Sequence, residues 1–333
     1  MHDHRDVIAT RDDVVARVLA GDDGVADAIA LLDRAEADLE VPLVDEAERQ
    51  RLHELATGDA ERAAHWHSLL ARRGDHAVGY AGVLLPTSPG LAATGDIAVL
   101  RDDVACTPVL GALLAGLEGL GWQHLAGRLQ VWVRHAQPAD VVCATDEGYG
   151  VDRRLGVLGR WLDAPLPDRT EVAGAAVRAY RPDADDAGVV DVLAAAYAGT
   201  ADGGWDLARF RERRGLPWFR PEDLLVAQDD DGWIAGIHWL KRRSPEVGEV
   251  YNLAIHPRAQ GRGLGGVLLA AGLHHLAEVG CRDALLWVDL ANERAVRLYI
   301  SQGFTTRWED VAFARTLRGT GSVPSASRAV AAG

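Results

Sequence analysis

The stretch from Gly248 to Gly266 constrains the fold most. It reads Gly248-Glu-Val-Tyr-Asn-Leu-Ala-Ile-His-Pro257, an alternating strand stopped by a proline, and continues Arg258-Ala-Gln-Gly-Arg-Gly-Leu-Gly-Gly266. A long apolar-faced helix then runs from Gly263 to Val279. A strand, a glycine-rich loop and a helix start, in that order, offer an anion several free backbone N–H groups and the positive end of a helix dipole. Glycines let phosphate oxygens come close to the backbone. Arg258 and Arg262 add local positive charge. A phosphate or pyrophosphate ligand is therefore the first expectation.

Such a loop alone does not choose among nucleotide folds. The Gly-Lys-Ser/Thr of a Walker A loop is absent. Gly261, Gly263 and Gly266 fit the G-x-G-x-x-G spacing of a dinucleotide fingerprint, but Asp289, the acidic residue ending the next strand, comes late for it.

The 333 residues predict two domains. A break falls at Asp163-Ala-Pro-Leu-Pro-Asp-Arg-Thr170, giving expected divisions of 1–162, a linker at 163–172, a second domain at 173–317 and a tail at 318–333. The tail is Ser-, Ala- and Gly-rich and reads as disordered. Each half opens with an Ala- and Asp-rich helical stretch, Asp22–Ala37 and Asp183–Ala198, which points to an internal duplication.

In the first half, helices are expected over 45–55, 108–120 and 139–147, and strands over 77–85, 95–100 and 129–134. Residues 63–70 read as a strand or a helical turn. In the second half, Asp229-Asp-Asp-Gly232 is a turn signal between strands 224–228 and 233–240. Strands follow at 247–255, 284–289 and 304–314, with a helix from Asn292, its N-cap, to Gln302.

Two blocks now carry a resemblance. Gln260-x-x-Gly263-x-Gly265 after an apolar strand is similar to the pyrophosphate loop of the GNAT acetyltransferases, Q/R-x-x-G-x-G/A. Asn292-Glu-Arg-Ala295-Val-Arg-Leu-Tyr299-x-x-x-Gly303-Phe304 resembles that family's N-x-x-A-x-x-x-Y-x-x-x-G-F helix. Gly203-Gly-Trp205, Arg213-Arg-Gly215, Trp218-Phe219, His238-Trp239 and Gly248-Glu-Val-Tyr251 resemble the C-terminal domain of the mycothiol synthase family, which is built of tandem GNAT domains. This likeness covers Val177 to Ala314.

The resemblance implies an α/β (α+β) fold of two GNAT domains, each a mixed, mostly antiparallel sheet flanked by helices. It implies acetyl-CoA as co-substrate and an amine as acceptor, namely the cysteinyl amine of a glucosaminyl-inositol. Glu249 is then the base, acting through water, and Tyr299 the acid for the leaving thiolate. Leu253, Ala254 and Ile255 would offer backbone groups to the acetyl and pantetheine portions. Gln260, Gly261, Arg262, Gly263, Leu264, Gly265 and Gly266 would hold the pyrophosphate. Asn292, Glu293, Arg294, Ala295, Val296 and Arg297 would line the pantetheine and adenine side. Acceptor contacts fall on Glu46, Asp202, Lys241, Glu249 and Trp287, with Arg242 competing for the place of Lys241. Trp287 stands where the family has a tyrosine.

Bland readings stay beside these roles: a strand-end carboxylate for Glu249, a core phenol for Tyr299, a helix cap for Asn292 and solvated charges for Lys241-Arg-Arg243 and Glu46. The first half lacks the Q/R-x-x-G-x-G loop, reading Arg101-Asp-Asp-Val-Ala-Cys-Thr-Pro-Val-Leu-Gly111 in its place. Two aspartates there would repel phosphates, so this half is expected to serve as a scaffold.

The net charge of −14 argues against a nucleic-acid surface and suits an amine substrate. Cys106, Cys143 and Cys281 form no C-x-x-C pair and read as reduced thiols. His65-x-His67 lacks further ligands, so no metal is expected. The polar N-terminus and the absence of a long apolar run predict a cytoplasmic protein away from membranes, acting as a monomer. Three readings remain open besides the one above: a GNAT enzyme for an aminoglycoside, polyamine or protein N-terminus, a non-catalytic acyl-CoA-binding regulator, and a nucleotide-binding dehydrogenase.

Overall fold

A computed structural model describes residues 7–19, 24–39, 42–44, 46–56, 65–100, 106–168, 172–200 and 202–317. The chain forms two compact units. The first holds the residues up to Arg154 together with those from Glu309 onward, and the second spans Leu155–Trp308.

The first unit contains strands β1 (Val7–Arg11) and β2 (Val14–Val18), helices α1 (Val25–Leu39) and α2 (Glu46–Ala56), and strands β3 (Trp66–Arg73), β4 (His76–Leu84) and β5 (Ala92–Val99). Helix α3 (Cys106–Gln123), strand β6 (Arg128–Val133) and helix α4 (Pro138–Asp146) follow. The start of β7 (Gly150–Trp161) also belongs to it. Its sheet order is β1-β2-β3-β4-β5-β6, and β6 is then paired by the chain's final strand, β13 (Thr305–Thr316), with Val311 opposite Val133. Only β5 and β6 run parallel among these pairs.

The second unit comprises β8 (Ala175–Ala179), α5 (Asp186–Ala196), α6 (Leu207–Arg214), β9 (Leu224–Asp229), β10 (Ile234–Arg242), β11 (Val247–Ile255), α7 (Leu264–Glu278), β12 (Asp283–Asp289) and α8 (Glu293–Ser301). Its sheet order is β7-β12-β11-β10-β9-β8, with β11 and β12 the parallel pair. Each sheet is therefore mixed and mostly antiparallel, with helices on both faces. Residues 163–168, read above as linker, follow β7 within this unit.

Most elements lie within a few residues of their expected places. Residues 66–73 resolve as strand, because β3 pairs along its length with both β2 and β4. Strands β1, β2, β7 and β8 and helix α6 carry no strong sequence period, and the pattern did not mark them. The expected tail from residue 318 lies outside the described residues, as do Arg101–Ala105 and the side chains of Glu46 and Cys106.

The cores follow from strand alternation. In the first unit, Leu110, Leu113, Leu114 and Leu117 of α3 are fully buried against one sheet face, and Leu31 and Leu32 of α1 pack with Tyr80 against the other. In the second, Leu240, Val250 and Leu286 face α7 and α8, while Trp239 and Ala254 face α5 and α6. Mid-helix Gly272 has a steric cause. A Cβ there would lie 2.1 Å from the ring of His238, which is fully buried on β10. His238 Nδ1 lies 2.7 Å from the Leu268 carbonyl, to which it donates, tying β10 to α7. Burial holds this imidazole neutral, lowering its pKa to about 4.

Candidate active site

The site begins with a strand that gains one residue. Across β10 and β11, Trp239 faces Asn252 and Leu240 faces Val250, leaving Tyr251 as the extra residue of a bulge. On its other side, β11 pairs with β12 over three rungs, Val247–Asp283, Gly248–Ala284 and Glu249–Leu285. Beyond Glu249 no rung forms, although β11 continues to Ile255 and β12 to Asp289. The strands fork. One edge of β11 stays bonded to β10, while the other turns its backbone groups toward the gap. Backbone groups unpaired in this way demand partners, and an extended, amide-bearing ligand can supply them.

A cavity of about 480 Å³ opens from this fork. Leu253, Ala254 and Ile255 line it from β11, and Gln260, Gly261, Gly263, Leu264, Gly265 and Gly266 from the loop and the start of α7. Gly261 and Gly263 have φ of 83° and 84°, a region costly for residues with a Cβ. Gly263 is the N-cap of α7 and has no capping side chain, so the first-turn N–H groups face the loop unclaimed by a cap. A Cβ on Gly266 would meet nothing within 4 Å. These features suit a pyrophosphate, and the fork suits the amide-bearing arm that such a nucleotide carries.

From α8, Asn292, Arg294, Ala295 and Tyr299 also line the cavity. The Asn292 side chain accepts from Ala295 N at 3.2 Å, so this residue is a helix cap as well as a cavity residue. Arg294 donates to Gln260 Oε1 at 2.9 Å, joining helix to loop. Four residues expected at the cofactor are not in the cavity wall. Arg262 reaches toward the Ala173 carbonyl at 3.5 Å, and Glu293 and Arg297 form an exposed i,i+4 pair. Val296 packs into the apolar cluster of α7 and α8.

Tyr299 is buried at the back of the cavity. Burial pushes its phenol well above the ordinary value, and Tyr197 adds to the shift, so the hydroxyl, protonated at neutral pH like any phenol, is made a weaker acid. Ala196 and Tyr197, at the end of α5, complete the wall. No motif in the sequence marked them. Burial, with Asp202 nearby, raises the Tyr197 phenol to about 12.

Glu249 stands at the base of the fork, 7% exposed. Lys241 is its direct partner across β10, and Leu285 across β12. Because side chains alternate, Lys241, Arg243, Glu249 and Trp287 share one face. Arg243 Nε lies 2.9 Å from Glu249 Oε2. That N–H is not aimed at the oxygen, so the contact is an ion pair rather than an aligned hydrogen bond. The same guanidinium sits 4.7 Å from the Trp287 ring centre, and Lys241 Nζ sits 4.6 Å from that of Trp218. Arg242 points to the opposite face and pairs with buried Asp223 at 2.7 Å, which leaves Lys241 and Arg243 as the β10-side cations on the face of Glu249. Asp202 is exposed, and Glu46 opens α2. Tyr197 and Ala196 are wall residues that sequence reasoning missed, Arg243 reads there only as a solvated charge, and Trp218 enters only as part of the family resemblance, without a role. The signal available for Arg243 was its place two residues after Lys241 on the same strand face.

Comparison with known proteins decides the family. Residues 191–304 match the acetyltransferase (GNAT) family. The mycothiol acetyltransferase of Thermomonospora curvata is 36% identical over 254 residues, covering 76% of this chain and 83% of the relative. The chain belongs to the mycothiol acetyltransferase family. A second member, from Mycobacteroides abscessus, is 33% identical over 258 residues, covering 74% of this chain and 84% of its own length. Among solved structures, a GCN5-related N-acetyltransferase from Sphaerobacter thermophilus aligns with a TM-score of 0.69 at 22% identity over 94% of this chain and 99% of that one. A tandem GNAT protein from the clavulanic acid biosynthesis pathway aligns at 0.65, with 18% identity, over 92% and 99%. These two likenesses concern the fold. As a member of the mycothiol acetyltransferase family, the chain is an acetyl-CoA-dependent N-acetyltransferase.

Among the described residues no cluster of His, Cys, Asp and Glu is placed to hold a metal, and no helix is long and apolar enough to cross a membrane.

Proposed function

We propose that this enzyme transfers the acetyl group of acetyl-CoA to the cysteinyl amine of the glucosaminyl-inositol precursor of mycothiol, working as a monomer in the cytoplasm. The observation that carries the chemistry is the position of Glu249 on the last rung before the strands fork, with the glycine loop and Tyr299 beyond it. The names of the relatives support the acceptor.

In this reading acetyl-CoA lies along the open edge of β11, with its pyrophosphate at residues 260–266. Glu249 takes a proton from the acceptor ammonium through a water molecule. The free amine attacks the thioester carbonyl, and a backbone N–H freed by the fork stabilises the oxyanion. The tetrahedral adduct then collapses with cleavage of the C–S bond, and Tyr299 gives its proton to the departing thiolate and regains one from the acylated nitrogen, which leaves the neutral amide. Lys241, Trp287 and Asp202 are the proposed acceptor contacts.

The first unit serves as a scaffold without its own acetyl-CoA. Its parallel pair supports this, since β5 and β6 stay bonded from Ala92–Arg128 to Ile97–Val133 and β5 has no bulge.

The test is mass spectrometry of the product from acetyl-CoA and the cysteinyl-glucosaminyl-inositol, with Glu249→Gln in parallel. Amide acetylation that collapses in the variant supports substrate and base together. No product, with acetyl-CoA still bound, discards this acceptor and leads to a panel of other amines. Calorimetric titration should give one acetyl-CoA per chain, and a second equivalent bound in the first unit ends the scaffold reading.

A further inference from the structure

We infer that Arg243 is a positioning residue for Glu249 and that Trp287 holds Arg243 in place. The inference rests on the reading of Glu249 as the base. Arg243 directly follows β10, where its backbone N–H donates to the Val247 carbonyl at 2.9 Å. The turn is fixed further by Ser244, whose Oγ accepts from Val247 N at 3.1 Å. The root of the side chain is therefore rigid. Its head is held by the Glu249 carboxylate on one side and the Trp287 ring on the other.

The consequence for Glu249 is orientational. A glutamate carboxylate has two equivalent oxygens and three rotatable bonds, so an untethered one samples many poses. Here Oε2 is sealed from solvent against Arg243, and that ion pair holds one end of the carboxylate and so narrows the poses in which Oε1 can meet a water or an ammonium. Guanidinium is planar and spreads its charge, so it can pair with a carboxylate and lie over an aromatic face at once. A lysine ammonium in the same place would keep the charge but lose the planar face that lies against the indole. Trp287 thus gains a role different from acceptor contact: its wide indole face is the platform for the guanidinium.

The experiment compares Arg243→Ala, Arg243→Lys, Trp287→Phe and Glu249→Gln in the full chain, reading kcat and the acceptor KM with the cysteinyl-glucosaminyl-inositol and the acetyl-CoA Kd by calorimetry. Arg243→Ala should lower kcat by roughly 10²-fold with the acetyl-CoA Kd unchanged, the size of effect expected for a misplaced catalytic group. Free guanidinium ion added to this variant should restore part of the rate, and Arg243→Lys should fall between. Trp287→Phe should cost about two- to fivefold in kcat, the weight of a cation–π contact. A near-normal kcat with only a raised acceptor KM in Arg243→Ala would make Arg243 an acceptor contact and overturn the inference. So would loss of rate that guanidinium does not touch. The two readings separate cleanly. A fully active Glu249→Gln removes the base itself, whereas an inactive Glu249→Gln beside an active Arg243→Ala removes only the role given to Arg243.

Discussion

The two units carry the same strand plan and differ at one pair of strands. In the first, β5 and β6 remain bonded for six rungs, from Ala92–Arg128 to Ile97–Val133. In the second, β11 and β12 part after the third rung. The third rung holds Glu249 in the second unit and exposed Thr94 in the first. A single inserted residue, Tyr251, accompanies the fork, and the register between β4 and β5 has no such shift. A bulge at one position thus separates a sheet that can admit an extended ligand from one that is fully bonded.

The largest effect should follow Glu249→Gln, which removes the proposed base and leaves the fork intact. We expect kcat to drop by roughly 10²–10⁴-fold with acetyl-CoA binding retained, measured by steady-state kinetics beside calorimetry. Its counterpart Thr94→Ala should change kcat by less than about twofold, since surface changes away from a site seldom matter. A large effect from Thr94 would break the division of labour.

Next comes the first unit's own polar core. Arg134 lies between Asp96 at 2.8 Å and Asp310 at 3.3 Å, both carboxylates nearly buried. Asp310 also accepts from His135 N at 2.9 Å. Arg134→Ala strands two buried charges and should cost about 3–5 kcal/mol, read as a fall in the thermal midpoint of roughly 10 °C. Acetyl-CoA affinity in the surviving folded protein should hold, because the fork is elsewhere.

Both units hold a histidine whose pKa burial lowers, His67 in the first and His238 in the second. His238 titrates near 4 when folded and near 6.5 when unfolded. Above pH 6.5 both states hold it neutral and nothing is lost. As pH falls from 6.5 toward 4 the unfolded state takes a proton that the folded state refuses, and stability drops by up to about 3 kcal/mol. Denaturation curves across that window should flatten in His238→Gln; an unchanged slope would assign the acid sensitivity to other groups.

The smallest effect concerns the loop. Gly263→Ala forces a Cβ into φ of 84°, at about 1–2 kcal/mol. We expect roughly a tenfold weaker acetyl-CoA Kd with kcat at saturation little changed. Equal loss of kcat would mean the loop does more than bind.

Much of this was legible in the chain. Glycines at 261 and 263 report a backbone conformation that only the local residue decides. The cap at Asn292 and the turn at Asp229–Gly232 are likewise local, set by hydrogen bonds across two to four residues. Strand alternation gave the buried faces for the same reason. Lys241 and Arg242 could not be separated by counting, because the pairing of β10 with β11 depends on how the turn at residues 243–247 closes, which puts Lys241 opposite Glu249 and Arg242 opposite Gly248.

What the sequence determined by itself was the conformation of short segments and, through the GNAT motifs, the kind of ligand they fit. The tertiary structure decided everything that depends on which segments meet. It placed β13 from residue 309 in the first unit's sheet and most of β7 in the second's, since an edge strand pairs with whichever open edge is nearest rather than with its neighbour in the chain. It brought Tyr197 to the cavity of Tyr299, and Arg243 and Trp287 to Glu249. Distances through space between residues far apart in sequence are set by packing, and no local pattern encodes them.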